Sequence, residues 1–297
     1  METQFDLFGE VVKEKTLLRD SFIEPPFTVL DARQGDWQMR KNRWRSLGIK
    51  SEIGRDAVSI HIGTSYGEGK SNSMSEYTSI FDPHLCELIY KWFCPDGGKI
   101  LDPFCGGSVR GIVAAYSGYD YTGIDIREEQ IKSNEEQAKD ILDDDDQKKI
   151  RYICGDSDRV LDTLNATAGE GYDLVFSCPP YADLEVYSNL PGDISNMSYD
   201  NFLTTYRSII SKACDKLNSG GFACFVVGEV RDPKDRDGAY YSFVPDTVRA
   251  FTDCGMLYYN EAILLTPVGS GSMRAMGNMK SKKLVKTHQN ILVFKKR

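Results

Sequence analysis

Two stretches of this chain combine residue types that can do chemistry. In "LDPFCGGS", residues 101–108, an acid, Asp102, enters a glycine turn. In "FSCPPYADLEVYS", residues 176–188, a short apolar run stops at Cys178 and is followed at once by Pro179, Pro180 and Tyr181. Between them two further acids close short apolar runs: Asp125 in "GIDI" and Asp156 in "CGDS". One acid at a strand end is usually a helix N-cap. Three at successive strand ends can instead line one crevice, where glycines let a ligand approach the backbone. Asp125 follows Asp102 by 23 residues, near the spacing at which an acid accepts from ribose hydroxyls. The turn reads Gly106-Gly107-Ser108-Val109-Arg110-Gly111, which lacks the glycine spacing of dinucleotide sites. An acid at position 102 would also repel a pyrophosphate. A cationic nucleoside without phosphate fits, and S-adenosyl-L-methionine is one.

The elements around these residues follow from periodicity. "PHLCELIYKWF" (83–93) has helical spacing, "GGKILDPFCGGS" (97–108) is a strand running into the turn, and "VRGIVAAYSG" (109–118) is a helix ending at Gly118. "DYTGIDI" (120–126), "IRYICGD" (150–156) and "YDLVFSCPPY" (172–181) read as strands, separated by helices over 127–142 and 157–164, with "DDDD" (143–146) as a solvated loop. A long helix over 198–221 is expected to stop at Gly220 and Gly221, followed by strand 222–230, helix 244–255, and strands 257–267 and 289–297. Alternation at this spacing predicts an α/β fold with a mostly parallel sheet covered on both faces. No helix separates the last two strands, so they are expected to pair antiparallel at a sheet edge. The organisation expected is an N-terminal extension (1–75) and one domain (76–297) carrying a basic loop (267–288).

The bulk properties narrow the class. The chain has 297 residues, 41% of them hydrophobic, enough for one substantial core. It has no apolar run long enough to cross a membrane and no signal-peptide pattern at its start, so no membrane partner is expected and a cytoplasmic location is the default. The eight cysteines contain no CxxC pair and no His/Cys cluster, so no metal site is expected. The formal net charge is −8, yet residues 31–55 and 270–286 are locally basic. Those segments put Arg40 and Arg43, and Arg274, Lys280, Lys282 and Lys283, forward as contacts to a nucleic-acid backbone. Trp37 and Trp44, seven apart, fit equally well a helix packed on the main domain. Tyr187 and Asn189, in the loop after the Pro-Pro corner, are further candidates for contact with a base.

In its paired motifs the chain resembles amino-group DNA methyltransferases, which act on N6 of adenine or N4 of cytosine. "DPFCGGS" resembles their cofactor motif and "CPPY" their catalytic motif. "PPFTVLDARQGDWQMRKNRW", "TSIFDPHLCELIYKWFCPDGG", "VVGEVRD" and "KTHQNILVF" resemble stretches of methylases commonly encoded in phages and prophages. The resemblance implies a Rossmann-like fold, S-adenosylmethionine as cofactor, DNA as substrate, and a bacterial or phage-infected host cell. It also implies roles: Phe104 and Gly106 beside the methionine, Asp102 near its ammonium, Asp125 on the ribose, and Asp156 on the adenine amine. Ile126 and Ser157 would border the adenine ring, with Thr78, Ser79 and Asp82 closing over the methionine tail.

The chemistry so implied needs acceptors for the hydrogens of an exocyclic amine, so that its nitrogen can turn toward the sulfonium methyl. It also needs a face for the base flipped from its stack. Pro179 and Pro180 would fix a backbone carbonyl and Tyr181 would supply the face. Cys178 departs from the pattern, since that position usually holds Asp, Asn or Ser and a thiol is a weak acceptor. Three readings stand: a tolerated thiol, a covalent nucleophile on a pyrimidine ring carbon, or a protein that has lost methylation or transfers another group to a base. An RNA base and a catalytically silent DNA-binding role are the alternatives to the main reading.

Overall fold

The structure, a computed structural model, describes residues 23–49, 81–164, 171–181, 188, 190–232, 237–269 and 271–297. Thr78, Ser79, Tyr187, Asn189 and the glycine-rich stretch 63–73 lie outside the described residues. The elements in chain order are β1 (Val29–Asp31), α1 (Gly35–Ser46), α2 (Pro83–Phe93), β2 (Lys99–Asp102), α3 (Val109–Tyr116), β3 (Asp120–Asp125), α4 (Glu128–Ile141) and α5 (Asp144–Gln147). They continue with β4 (Ile150–Cys154), α6 (Ser157–Thr163), β5 (Tyr172–Ser177), α7 (Tyr199–Asp215), β6 (Leu217–Val227), α8 (Phe243–Asp253), β7 (Leu257–Leu265), α9 (Gly271–Lys280) and β8 (His288–Lys295).

These strands form one sheet in the order β1-β7-β8-β6-β5-β2-β3-β4. Pairing is parallel throughout except for β8, which runs antiparallel between β6 and β7. That is the Rossmann-like fold of S-adenosylmethionine-dependent methyltransferases. One core lies under α1 to α4, with Tyr90, Ile112, Val113 and Phe176 at its centre. The other lies under α6, α7 and α8, with Phe202, Tyr206, Phe225 and Phe251. Helices on both faces explain why the central strands are near-continuous apolar runs. Strand order reverses between β3 and β5 on either side of β2, which opens a crevice above their carboxyl ends.

Four details differ from the sequence expectation. The last two strands pair antiparallel as expected, but β1, from the N-terminal segment, adds parallel to β7 outside them. The long helix ends at Asp215, and Gly220 and Gly221 fall inside β6, where the β5–β6 register shifts. Gly220 has φ +80°, and a Cβ on Gly221 would lie 3.0 Å from the carbonyl oxygens of Asn218 and Asp173, so these glycines serve a bulge. "DDDD" is not a plain loop, because Asp143 caps α5 by accepting from the amides of Asp145 and Asp146. Finally, the connection from β7 to β8 carries a helix, α9.

The described part of the N-terminal basic segment, residues 31–49, packs on the core through α1. Trp37 and Trp44 sit one above the other on α1 and are both buried against α2. Their indole N–H groups donate to Asp82 (3.1 Å) and Glu87 (3.1 Å). Arg40, between them, pairs with Glu87, and Lys41 pairs with Asp82 at 2.9 Å. Burial would raise the Glu87 carboxyl, but His84 and Arg40 hold it down to about 2. Arg40 is therefore a structural ion-pair residue, and the expectation that it meets a phosphate is corrected. Arg43 is half-buried on the same helix.

Candidate active site

The crevice has a volume of about 810 Å³ and is lined along one side by Phe104, Gly106, Asp125, Ile126, Asp156 and Ser157. Its other side is Cys178, Pro179, Pro180, Tyr181 and the ends of β6 and β8. The fold thus brings the glycine turn and the Pro-Pro-Tyr corner into one cavity.

Asp102 lies beneath that cavity and not on its wall. It is 0% exposed, and its carboxylate accepts four hydrogen bonds. Oδ1 receives Ser177 Oγ at 2.6 Å and the Phe104 amide at 3.2 Å. Oδ2 receives Arg110 Nε at 2.5 Å and the Tyr121 hydroxyl at 2.7 Å. A carboxylate buried this deeply must be paired, and here its partners come from β3, β5, α3 and the turn itself. The expectation that Asp102 meets a ligand ammonium is corrected: all of its acceptor sites are already used. Arg110 goes on to donate to the carbonyls of Phe104 (2.7 Å) and Cys105 (2.8 Å), tying down the turn. Its role was not read from the sequence, although an arginine in the first turn of the apolar "VRGIVAAY" was a usable signal.

Asp125 is different. Its Oδ2 accepts from the Gly106 amide (3.1 Å) and its Oδ1 from the Arg127 amide (2.9 Å). Burial raises its carboxyl above the usual range, against the pull of Arg127 and those two amides. The carboxylate is thus short of donors, and each oxygen keeps acceptor capacity toward the crevice. Gly106 has φ +49° and nothing within 4 Å of a Cβ built on it, so the backbone there faces open space. Its carbonyl receives Asn134 Nδ2 at 2.6 Å, and Asn134 is held in turn by Gln130 (2.9 Å) and Gln130 by Arg127 (2.7 Å). That polar row on the inner face of α4 was missed, though polar residues there break the apolar stripe.

Asp156 caps α6 through Oδ1, which accepts from the Asp158 amide at 2.9 Å. Its other oxygen faces Gly192, where a Cβ would sit 3.0 Å from Oδ2 and 3.4 Å from Ile126. Gly192, at φ +95°, brings the 190–193 turn against this end of the crevice. Ser157 Oγ donates to the Pro103 carbonyl at 2.6 Å, locking α6 to the turn.

At the other end, the Tyr181 ring packs edge-on against Phe243, and its hydroxyl accepts from Gln289 at 3.3 Å. Glu229 accepts from the amides of Phe243 (3.1 Å) and Val244 (3.2 Å) and so caps α8. Lys286 reaches in from the β8 side, with its Nζ buried and, among the described residues, without a hydrogen-bond partner. Asp82 lines the crevice but is the N-cap of α2, accepting from the His84 amide at 3.1 Å. Arg274, Lys280 and Lys282 are exposed on α9 and just beyond it, away from the crevice lining, and Lys283 is half-buried against Gly238.

A family model of RNA cap guanine-N2 methyltransferases matches residues 97–213. The match runs from the approach to β2 to near the end of α7, so it holds both the glycine turn and the Pro-Pro-Tyr corner. It overturns the resemblance to DNA amino-methyltransferases, because the matching family is one that modifies RNA. Solved structures similar to this chain include TrmN from Thermus thermophilus, at 14% identity and TM-score 0.48, covering 73% of this chain and 49% of that one. The chain therefore spans about half the length of that protein. Others are a TehB-like S-adenosylmethionine-dependent methyltransferase from Corynebacterium glutamicum (18% identity, 71% and 86% coverage, TM-score 0.43) and magnesium protoporphyrin IX methyltransferase from Synechocystis with bound cofactor (13%, 78% and 88%, TM-score 0.47). No curated protein matches the chain.

S-adenosylmethionine is the cofactor of this fold, and the crevice fits it. Donor-poor Asp125 suits the ribose hydroxyls, Asp156 the adenine amine, and the open backbone at Gly106 the methionine arm. The wall carries both acids (Asp82, Asp125, Asp156, Asp193 and Glu229) and bases (Lys41, Arg110, Arg127 and Lys286), with Asp82 paired to Lys41. Among the described residues no group of His, Cys, Asp or Glu could hold a metal ion, and no helix is long and apolar enough to cross a membrane.

Proposed function

We propose that this chain is an S-adenosylmethionine-dependent methyltransferase acting on an exocyclic amino group of a base in RNA. The observation that carries the reaction type is the Cys178–Tyr181 corner sharing one cavity with the Asp125–Asp156 wall. The family match over residues 97–213 supports RNA as the substrate class. When bound, the cofactor supplies an electrophilic methyl on a sulfonium. The protein has to present the amine to it.

The proline corner does this by rigidity. Pro179 has no N–H and a fixed φ, so the Cys178 carbonyl at the end of β5 is held in place as an acceptor for an amine hydrogen. Tyr181 offers its ring to the base, braced by Phe243 and by the Gln289 bond to its hydroxyl. Held against Asp125, Asp156 and the Gly106 backbone, the cofactor would supply that methyl to the amine nitrogen, and the amine proton would pass to solvent. Ser177, next to the corner, is committed to Asp102 and cannot replace the acceptor missing at Cys178. The carbonyl carries this task alone, and the thiol is a bystander.

Transfer of labelled methyl to total RNA and to DNA, followed by nucleoside mass spectrometry, tests the reading. An N-methylated nucleoside from RNA is expected. No labelled nucleoside from RNA, or label on a pyrimidine ring carbon, refutes it. Cys178→Ala is expected to retain activity within about threefold, and Tyr181→Ala to lose roughly tenfold to a hundredfold, the range of one lost base-stacking contact.

A further inference from the structure

The substrate end of the crevice holds a cation that nothing in the cofactor site uses. Lys286 lies in the segment entering β8, and its Nζ is buried with no hydrogen-bond partner among the described residues. Burial lowers its affinity for a proton, and Glu229 opposes that. No ion pair joins Lys286 to Glu229 among the described residues, and the Glu229 carboxylate instead accepts from the first amides of α8. The place is made by Gly228: a Cβ there would stand 3.2 Å from Lys286 Nζ and 3.8 Å from the Tyr181 hydroxyl. Gly228 therefore lets the ammonium and the tyrosine flank the same point. A buried ammonium without an acceptor is costly unless a ligand provides one.

On the reading that a base enters this cavity, we infer that Lys286 is a substrate-binding residue that donates to the keto oxygen of the target base. The target is then guanine or cytosine, each of which carries both an amine and a keto oxygen. Adenine, with its amine at the Pro-Pro corner, offers this ammonium only ring nitrogens and a C–H. A backbone phosphate is a poorer match, because Nζ is enclosed while the phosphates of a strand with one flipped base lie outside. His288, nearby on the wall, is held toward its neutral form by burial and by Lys286, so it adds no competing charge.

The test uses the full chain saturated with S-adenosylhomocysteine, which blocks the adenosine site. GMP, CMP and AMP are titrated by calorimetry into wild type, Lys286→Met and Lys286→Arg. GMP or CMP is expected to bind at least about tenfold more tightly than AMP, the value of one hydrogen bond to a charged group. That preference should vanish in Lys286→Met and be partly kept in Lys286→Arg, with S-adenosylhomocysteine affinity unchanged in both. AMP binding as tightly as the others, a preference that survives Lys286→Met, or no binding of any of the three overturns the inference. Methyl transfer to RNA is scored separately. If RNA is methylated but Lys286 sets no preference, only this inference falls. If Lys286 sets the preference but RNA is not methylated, only the RNA reading falls.

Discussion

Replacing Asp102 with asparagine asks whether this acid, which heads the most legible motif in the chain, meets a ligand or holds the turn. Each carboxylate oxygen accepts two donors. The hydroxyls of Ser177 and Tyr121 can rotate and accept instead, but the Phe104 amide and the Arg110 guanidinium cannot. Either orientation of the new amide therefore sets its NH₂ against a fixed donor, and Arg110 is left buried without a counter-charge. Removing one partner of a buried, hydrogen-bonded pair costs about 3–5 kcal/mol. With a urea m-value of about 3 kcal/mol/M, at the upper end of the usual range, the unfolding midpoint should fall by roughly 1–1.7 M. The double variant Asp102→Asn/Arg110→Met, which removes the charge as well, should be less destabilised than the two single losses added together. Urea unfolding followed by tryptophan fluorescence measures both. If Asp102→Asn keeps its midpoint within about 0.3 M of wild type while cofactor affinity falls a hundredfold, the acid faces the ligand and the reasoning is refuted.

Asp125 gives a pH dependence. Its carboxyl is raised in the free protein, and ribose donors would lower it, so cofactor binding should release a proton. Affinity should be full above the free-site value and weaken by up to about tenfold per pH unit below it, read by calorimetry in buffers of different ionisation enthalpy. The same raised value means that Asp125 favours folding of the free protein at low pH. That contribution fades as pH rises from 3.8 through the folded value. Glu87 has the opposite sign. With its carboxyl held down to about 2, its contribution is complete above 4.5 and is lost as pH falls from there toward 2. Arg40→Gln should then cost about 3 kcal/mol and alter the fluorescence of Trp37 and Trp44; an unchanged urea midpoint would mean the pair is not holding α1 on α2.

The central sheet was legible because its code is local. Apolar runs of strand length, alternating with helices stopped by glycines such as Gly118, leave few topologies open. What escaped the reading was long-range. Gly220 and Gly221 follow a helical pattern closely enough to pass for its stop. Only the neighbouring strand, with the Asp173 carbonyl 3.0 Å from a Cβ on Gly221, shows that they serve a bulge. The basic segment at 31–55 carries the composition of a phosphate contact. The acids that neutralise it, Asp82 and Glu87, lie more than forty residues on, beyond any window in which charge is counted. Asp102 misled for a related reason: its turn does line the crevice, but its partners Ser177 and Tyr121 come from other strands.

The motifs that pointed to an S-adenosylmethionine-dependent methyltransferase also carried the resemblance to DNA enzymes, which the match to an RNA-modifying family overturns. A rigid carbonyl and an aromatic face serve any exocyclic amine on any base, so the Pro-Pro-Tyr corner specifies a reaction and not a polymer. Discrimination between bases has to come from groups that touch the far edge of the ring. On that side of the crevice lie Gly228, just after β6, Lys286, just before β8, and Gln289 in β8. These residues lie beyond position 213, outside the stretch that matches the family model. The proposed determinant of base choice is a lysine preceding the last strand, in a basic segment where its charge resembles one more contact to a backbone. Burial separates it from the rest: Arg274, Lys280 and Lys282 are exposed, and Lys286 alone of that segment's cations lines the crevice.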